Sequence, residues 1–437
     1  MGARDTLINV DSTINVLAAH CSLVDDRRTK EGEWLSSREA SKRLGIKLET
    51  LYAYASRGLV TSLSGDGRRG RRYASDDIER LRARHAARSG HGPVAAGALR
   101  FGEPVLETSI SDVGPEGPRY RGILATRLCR DAVSFERVAE LLWTGTLPAR
   151  ITEPAVQLKC PSERLWPLLR GHAALPKMAL ILGALALHDA HRHCATDVAE
   201  HARARALFHF LAEAPARRPA RGERSQRVAA TLLTALGAPR TPALLSNVDR
   251  ALVLCAEHEL NASTFAARVA ASAGADLYAC LSAAVNTLSG SAHGGMCDRV
   301  EALLETIGPE GRATRVVNEW LTRGEQIPGF GHPLYPEGDP RGALLLELAR
   351  AHGAKTPAAK VAFALLDAMR RGGHPAPTLD AALVTLGACL GLPSGSAAAI
   401  FAVGRSAGWV AHVLEQRAAG FLLRPRARYV GPPARDS

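Results

Sequence analysis

The sequence predicts an all-α protein of 437 residues, in which a small basic module precedes a large helical body. Hydrophobic residues make up 46% of the chain but aromatic residues only 5%, and the Ala and Leu that dominate lose little side-chain freedom in a helix. Helix caps and amphipathic runs recur, without regular alternation of polar and apolar residues. Residues 33–88 hold 13 Lys and Arg against 7 Asp and Glu, an excess of six within a net charge of +12. That asymmetry marks a separate module.

The module is expected to begin after a disordered tail at residues 1–30, which show no sustained period. Ser36 and Glu39 have the spacing of a capping box, in which each satisfies a free amide at a helix start. Gly45 is placed to end this short helix, and a second helix is expected at Leu48–Ser56. Helix, glycine turn and helix are the parts of a helix-turn-helix.

A glycine- and arginine-rich segment, residues 65–72, follows as a predicted hairpin tip before Tyr73 and a third helix at 75–88. In this order, residues 31–88 resemble the winged helix-turn-helix of the MerR and excisionase type. The resemblance implies that the second helix enters the major groove and that the wing contacts phosphates. The candidate DNA contacts are Thr50, Tyr52, Arg57, Arg68, Arg69, Arg71 and Arg72. The alternative is a module used only for packing or dimer contacts, because few side chains on the second helix can read bases.

Residues 89–98, rich in glycine and alanine, are predicted to form a linker to a body at residues 99–437. The body is expected to open with a strand-like stretch at 101–111 and a Gly/Pro loop that leads to Tyr120-Arg121-Gly122. From there on the pattern is helical.

Ser134 is placed to cap an amphipathic helix that Gly145 and Pro148 end. Residues 160–285 continue as helical segments between charged or proline-containing joints. The sequence contains no glycine-rich dinucleotide loop after a strand and no Walker lysine. The pattern therefore predicts an all-α body without a common nucleotide-binding motif.

The chain is expected to be soluble and cytoplasmic. The apolar stretch 14–19 is short and lacks a preceding basic segment, unlike a secretory signal. The apolar runs 179–187 and 381–392 are too short to span a bilayer. Eight scattered cysteines without a CxxC pair are typical of reduced thiols and offer no metal-ligand spacing. We therefore expect no membrane partner and no metal.

Two segments of the body hold a histidine among glycines, which allow close approach of the backbone to a ligand. One contains His293, and the other is the loop 328–341, which carries His332 and ends with Arg341. Three prolines stiffen this loop. A helix N-terminus near His293 would depress its pKa and keep the imidazole neutral. The alternative for His332 is an incidental histidine in a surface loop.

Two further segments have equally plausible structural explanations. His258 stands between two acids at a helix edge, where a hydrogen-bonded structural histidine is the more common case. Asp380 precedes a long apolar helix and is either an N-cap or a partly desolvated general base with a raised pKa.

Taken together and in order, these segments resemble one family. From about Leu99 to Pro433 the chain is similar to the citrate synthases. Six blocks carry the resemblance: Tyr120-Arg121-Gly122; His-Glu-Leu-Asn-Ala-Ser-Thr at 258–264; His293-Gly294-Gly295; Gly-Phe-Gly-His at 329–332 with Asp339-Pro340-Arg341; Arg405, Gly408, Trp409, Ala411, His412, Glu415 and Gln416; and Arg424-Pro425-Arg426.

The resemblance implies condensation of an acyl-CoA with oxaloacetate, followed by hydrolysis of the citryl-CoA thioester. Asp380 would take a methyl proton from acetyl-CoA, and His293 would donate a hydrogen bond to the thioester oxygen. His332 would polarise and protonate the oxaloacetate carbonyl. Acetyl-CoA would be a co-substrate, with no cofactor needed. A thioester α-proton is weakly acidic, so base and donor must act together.

The resemblance also implies the substrate receptor and the assembly. His258, Arg341 and Arg405 would hold the substrate carboxylates, since arginine forks suit carboxylates. Arg424 would reach the site from the other subunit of a homodimer or higher oligomer. A large domain at 99–288 and 388–437 would carry the interface, and a small domain at about 289–387 would close over the substrate.

Three departures from the family pattern leave these groups in place. Pro333 follows the loop histidine where many members have Arg or Ala, Met296-Cys297 replaces the usual Ala-Asn, and Glu257 stands where Asp often precedes the first histidine. The first two could alter the acyl-CoA pocket.

Two alternatives to a citrate synthase remain. A 2-methylcitrate synthase differs by one methylene of the acyl group, worth only about 1–3 kcal/mol of discrimination. A DNA-binding regulator would use the body as a sensor of oxaloacetate or CoA esters, although the retained catalytic set argues against a body that only senses.

Overall fold

The computed structural model describes residues 34–56, 59–63, 71–75, 77–78, 81, 106–153, 156, 158, 162–216, 225–291, 293–425, 427 and 431. The tail at 1–30, the linker at 89–98, and Arg57, Arg68 and Arg69 lie outside these residues. The chain divides into two units, Met1–Glu107 and Thr108–Ser437. The boundaries of the large and small domains of the body stay predictions.

The first unit is a helix pair with a three-stranded antiparallel sheet in the order β1-β3-β2. Its elements are β1 Trp34–Ser36, α1 Ser37–Leu44, α2 Leu48–Ser56, β2 Ser62–Leu63 and β3 Arg72–Ala74. The capping box is confirmed: the Ser36 side chain accepts from Glu39 N–H, and the Glu39 carboxylate accepts from Ser36 N–H. Gly45 ends α1 with a φ of 64°, as expected.

A small apolar core holds this unit together. Its buried members are Leu35, Ala40, Leu44, Leu51, Val60, Tyr73, Ile78 and Leu81. Ile78 and Leu81, from the segment predicted as a third helix, are among them. On the surface lie Tyr52 of α2 and Arg71 and Arg72 beside the β2–β3 pair, while Thr50 is half-buried.

The second unit opens with a sheet where a loop was predicted. The antiparallel strands are β4 Ser111–Gly114, β5 Gly117–Tyr120 and β6 Ile123–Leu124, in the order β4-β5-β6. Gly117 makes the tight β4–β5 connection with a φ of 104°. Strands of two to four residues are too short to show a period of two, so the sequence pattern did not reveal them.

The rest of the second unit is helical, which confirms the predicted all-α class. The helices are α3 Ala125–Arg130, α4 Phe135–Thr144, α5 Ser162–Leu169, α6 Ala174–His188, α7 Asp197–Glu213, α8 Val228–Ala235, α9 Pro242–Cys255, α10 Ala262–Ser272, α11 Leu277–Leu288, α12 Met296–Ile307, a 3₁₀ turn at Glu310–Arg312, α13 Ala313–Thr322, α14 Pro340–His352, α15 Pro357–Arg371, α16 Leu379–Cys389 and α17 Ser396–Ala419.

The 24-residue helix α17 is the central element of this unit, since α4, α7, α9, α10 and α11 all pack against it. By length and composition it could cross a membrane, but 94% of its apolar window is buried inside the protein. A buried core helix can have the same length and apolar composition as a membrane-spanning one.

At two predicted N-cap residues, Ser134 and Asp380, the side chain does not cap a helix. Ser134 occupies the N-cap of α4 but its side chain makes no capping hydrogen bond. Asp380 is not an N-cap either, because Thr378 holds that place in α16 and Asp380 lies two residues inside. The carboxylate is therefore available for another task.

Candidate active site

The candidate residues come together because several helix starts and one long helix meet in the second unit. His258 lies in the turn between α9 and α10, His293 in the turn before α12, and His332 in the loop before α14. Asp380 is in the first turn of α16, and Arg405 is in the middle of α17. Helix starts expose unpaired backbone amides, which is where anions bind well.

His258, His332 and Tyr335 form an aromatic cluster. The two imidazole centroids lie 5.7 Å apart in an edge-on arrangement, and the Tyr335 hydroxyl lies 3.2 Å from His258 Nε2. Burial lowers the pKa of His258 well below its ordinary value, and Arg341 and Arg405 lower it further. His258 is therefore neutral at physiological pH, although Glu257 and Glu259 flank it in sequence.

The backbone determines the tautomer of His332. The N–H of Leu334 donates to His332 Nδ1 over 3.1 Å, so the neutral ring carries its proton on Nε2. Burial lowers the pKa of His332 below its ordinary value. The ring thus offers one N–H donor on the side away from its own loop.

Arg341 is a buried cation with a donor to spare. Its side chain is paired with Asp339, with Nη2 2.7 Å from Oδ2 and Nε 3.1 Å from Oδ1. The residue is only 2% exposed, yet its Nη1 has no hydrogen-bond partner among the described residues. A buried donor without a partner costs about 1–3 kcal/mol, so its retention points to a ligand that completes it.

Arg405 is the second buried guanidinium, also 2% exposed. Its Nε donates to the Cys255 carbonyl over 2.8 Å, and its Cζ lies 4.7 Å from the Phe401 ring centroid. Within the described part of the chain, no carboxylate forms an ion pair with it. Burial lowers its pKa, but a guanidinium stays charged in proteins. The positive charge is available to an anion.

His293 is held by Ser263, one of the residues that the sequence reading did not assign. Ser263 Oγ lies 2.8 Å from His293 Nε2 and 2.7 Å from Asn261 Oδ1, and it accepts from Trp409 Nε1–H over 3.1 Å. Burial, followed by the charge of Arg405, lowers the pKa of His293 to about 4. The expected neutral imidazole is present, but burial is the main cause rather than a helix N-terminus.

Asp380 faces sulfur and hydroxyl donors rather than a cation. Cys297 Sγ lies 3.4 Å from its Oδ1, and Thr378 Oγ1 lies 3.5 Å from its Oδ2. Burial raises the pKa of this carboxyl above its ordinary value. A weakly stabilised carboxylate is a stronger base than a solvated one.

The loop of His332 is tied to the start of α16 by backbone hydrogen bonds. Gly331 N–H donates to Ala376 O over 2.9 Å, and Thr378 N–H donates to Gly329 O over 2.8 Å. Gly329 has a φ of 81°, and a Cβ there would lie 2.6 Å from Val300 Cγ2. Only glycine fits this close approach.

A buried charged network supports the turn that carries His258. The carboxylate of Glu257 accepts from Ser111 Oγ over 3.1 Å and lies 3.2 Å from His412 Nε2. Burial raises the pKa of Glu257, but His412 and Arg405 outweigh it, and the pKa ends below its ordinary value. Glu257 is thus an ionised carboxylate under the site.

Of the predicted residues of the body, Arg424 alone lies apart. It is exposed beyond the end of α17, and no described side chain pairs with it. The sequence reading also assigned no role to Tyr335, Asp339 or Ser263. Asp339 and Ser263 lie inside the quoted motifs, close in sequence to Arg341 and His258. That proximity was the sequence signal that could have identified them.

The geometry therefore comprises two buried guanidinium groups, neutral imidazoles and a buried carboxyl group whose pKa is raised. The sequence model described as "Citrate synthase, C-terminal domain" matches residues 100–426, three quarters of the chain. The chain belongs to the citrate synthase family. It is a condensing enzyme of the acyltransferase type, and the resemblance drawn from the six blocks is confirmed.

Relatives under two names are similar to this family member. "Putative citrate synthase 2" of Mycobacterium tuberculosis is 34% identical over 349 residues, covering 77% of this chain and 93% of the relative. "2-methylcitrate synthase" of Shewanella oneidensis is 32% identical over 369 residues, covering 77% and 95%. The two names leave the acyl group undetermined.

A solved structure and a second family model complete the comparison. Citrate synthase of Thermoplasma acidophilum, described as a ternary complex with carboxymethyl coenzyme A and oxaloacetate, has a TM-score of 0.67, 24% identity, and coverage of 78% of this chain and 97% of that one. It confirms the citrate synthase fold. The model described as "MerR HTH family regulatory protein" matches residues 35–92, which confirms the helix-turn-helix resemblance of the N-terminal module.

Proposed function

We propose that this citrate synthase family member condenses acetyl-CoA with oxaloacetate and hydrolyses citryl-CoA to citrate and CoA. The observation that carries this is Nη1 of Arg341, which has no hydrogen-bond partner among the described residues and is buried beside Arg405 and the neutral His258. Among the same residues, the two guanidinium groups have one carboxylate partner between them, Asp339, so this receptor is short of negative charge. A dicarboxylate such as oxaloacetate supplies it.

The first step is removal of a methyl proton from acetyl-CoA. Asp380, whose pKa burial raises, takes the proton and becomes a neutral carboxyl. His293 donates a hydrogen bond to the thioester oxygen, where the electron pair of the broken C–H bond accumulates. This requires the ring proton on Nδ1. In our proposal the Ser263 hydroxyl turns from Asn261 Oδ1, to which it donates over 2.7 Å, and donates instead to His293 Nε2, 2.8 Å away.

The second step joins the two substrates. The enolate carbon attacks the ketone carbon of oxaloacetate, and the ketone oxygen takes a proton from His332 Nε2, the donor left free by the Leu334 bond to Nδ1. The ring regains a proton from water, and Asp380 releases the methyl proton to solvent, so both side chains end as they began. Carboxylates of oxaloacetate lie on Arg341, Arg405 and His258. Water then cleaves the thioester, and the products are citrate and CoA. No metal or other cofactor takes part in these steps.

Two features support a homodimer in which the partner contributes Arg424. Leu180 and Leu187 on α6 are 51% and 78% exposed, and so are Phe421 and Leu422, at 50% and 56%, just before Arg424. Large apolar side chains left this exposed favour a contact with another chain. Arg424 lies at the end of this exposed arm, with no pairing partner among the described residues of its own chain.

Release of free CoA from acetyl-CoA, with and without oxaloacetate, tests the enzyme activity. The wild type should release thiol only with oxaloacetate, and His293→Ala and Asp380→Ala should lower kcat about 10²–10⁴-fold. Asp112→Ala, an exposed carboxylate on β4, serves as the matched control. Absence of oxaloacetate-dependent thiol release with both acetyl-CoA and propionyl-CoA would refute the proposed activity.

The name of the Shewanella relative favours one alternative acyl group. The 2-methylcitrate reaction uses propionyl-CoA in the same steps, and one methylene is worth about 1–3 kcal/mol. The ratio of kcat/KM for the two acyl-CoA substrates decides. A ratio above ten in favour of propionyl-CoA would replace citrate by 2-methylcitrate as the product.

A second function, DNA binding by the N-terminal module, is supported by the MerR-type match at 35–92. Arg72, the first residue of β3, and Arg71 before it are exposed, and so is Tyr52 on α2. DNA retention should fall as salt rises, because phosphate contacts release counterions. Neutralising Arg68, Arg69, Arg71 and Arg72 should flatten that slope, whereas Lys360→Gln with Arg371→Gln, on α15 of the body, should not. Salt-insensitive or absent binding would leave the module structural.

A further inference from the structure

Two sulfur atoms at the start of α12 contact two parts of the candidate site, the loop that carries His332 and the carboxylate of Asp380. Met296 Sδ accepts a hydrogen bond from Gly329 N–H over 3.3 Å, and Gly329 begins the loop that carries His332. The next residue, Cys297, places its Sγ 3.4 Å from Asp380 Oδ1. These residues stand where the family usually has Ala-Asn, so both departures make contacts that the usual pair would make differently or not at all.

The thiol is the best-placed side-chain donor to Asp380 in the described part of the chain. A sulfur-to-oxygen distance of 3.4 Å is ordinary for a large donor atom. The Thr378 hydroxyl, at 3.5 Å from Oδ2, lies well beyond the 2.5–3.0 Å typical of O–H···O bonds. Cys297 is fully buried, so water does not compete for its proton.

We propose that Cys297 is a positioning residue, whose thiol holds Asp380 Oδ1 and turns Oδ2 toward the methyl group of the acyl-CoA. This inference rests on the proposed role of Asp380 as the base. Met296 contributes by joining the same helix start to Gly329, so that base and loop keep one mutual arrangement. The carboxylate has two equivalent oxygens, and a donor on one leaves the other to accept the substrate proton.

A thiol suits this task because it is a weak donor. A hydrogen bond to a carboxylate stabilises the ionised form and weakens the base. An amide or hydroxyl donor would do so more strongly than a thiol. Burial and the neighbouring charge of Asp380 raise the pKa of Cys297 well above its ordinary value, so it stays protonated and keeps donating.

The test compares Cys297→Ala and Cys297→Ser in CoA release, over a range of pH and with acetyl-CoA deuterated in the methyl group. Cys297→Ala should lower kcat roughly tenfold to a hundredfold, as expected for a misplaced reacting group, with KM for oxaloacetate unchanged. Its isotope effect should increase, since proton removal becomes slower. The acid limb of its pH profile for kcat should move to higher pH, because the loss of a hydrogen-bond donor to Asp380 raises the pKa of that base.

Cys297→Ser restores a donor, so its acid limb should return to the wild-type position or below it, with kcat closer to wild type. The control is Cys389→Ala, at a buried cysteine on α16, the helix whose first turn holds Asp380. This variant should leave kcat, the isotope effect and the acid limb of the pH profile unchanged. The inference is overturned if Cys297→Ala keeps the wild-type isotope effect and acid limb. If Asp380→Ala itself retains activity, the proposed function fails instead, so the two failures are distinguishable.

Discussion

Gly408 of α17 lies directly against the carboxylate of Glu257, with no space for a side chain between them. Its N–H donates to the Ala256 carbonyl over 3.1 Å, and a Cβ would lie 2.6 Å from that same oxygen and overlap Glu257 Oε2. Glu257 directly precedes His258. The long helix therefore sets the position of the turn that carries His258, a residue of the proposed substrate receptor.

Gly408→Ala should lower the free energy of unfolding by about 1–3 kcal/mol, the usual range for overpacking a core. It should also raise KM for oxaloacetate, since His258 shifts with the turn. Gly387→Ala in α16 is the matched control, because a Cβ there meets nothing within 4 Å and a helical Gly→Ala change tends to stabilise. Denaturant unfolding measures the free energy of unfolding of both variants. Equal stability of the two would contradict the overlap between a Cβ at position 408 and Glu257.

Arg405→Lys should raise KM for oxaloacetate at least tenfold, with a smaller effect on KM for acetyl-CoA. Lysine keeps the charge but loses both the Nε bond to the Cys255 carbonyl and the fork that fits a carboxylate. The control is Arg417→Lys, on the same helix, whose guanidinium also binds a carbonyl, that of Ala275, but pairs with Glu200. An unchanged KM in Arg405→Lys would remove Arg405 from the receptor.

Asp380→Asn should abolish turnover yet raise the thermal midpoint at pH 7, by about 1–3 °C. Burial raises the pKa of Asp380 in the folded state, so the ionised group destabilises the fold as pH rises through that pKa. Below the unfolded value of about 3.8 both states are protonated, and the gain should vanish. Asp112→Asn changes an exposed carboxylate and is the control for the loss of a surface charge. A lower midpoint for Asp380→Asn at pH 7 would show that its charge stabilises the fold.

Mixing two inactive variants tests the contribution of Arg424 across the interface. In a heterodimer of Arg424→Ala and Asp380→Ala subunits, one site keeps its own Asp380 and receives an intact Arg424 from the partner. Random reassortment should therefore restore about a quarter of wild-type activity. Arg341→Ala mixed with Asp380→Ala should restore none, because both residues serve the site of their own chain. No recovery in the first mixture would place Arg424 in its own subunit's site or outside both.

Much of the fold was predictable where a local signal decides the structure. The capping box at Ser36 and Glu39, the glycine ends at Gly45 and Gly145, and the helix at Leu48–Ser56 follow from nearest neighbours along the chain. The short strands β4 to β6 were missed because their pairing depends on a turn at Gly117 rather than on a periodic pattern.

The candidate site was predictable in its residues but not in its energetics. Motifs placed His293 and Asp380 in one site, but the lowered pKa of His293 comes from burial and from Arg405. The Ser263 contact spans thirty residues of sequence. Distances of that kind are created by folding, and a linear pattern does not contain them.

The hydrogen bonds from Gly331 to Ala376 and from Thr378 to Gly329 join the loop of His332 directly to the start of the helix that carries Asp380. In the proposed mechanism, His332 acts on the ketone of oxaloacetate and Asp380 acts on the thioester, so the two groups serve different substrates. The two hydrogen bonds fix the spacing between this proton donor and this proton acceptor. In that mechanism, a helix motion that admits the substrates therefore leaves the acid and the base at the same distance from each other.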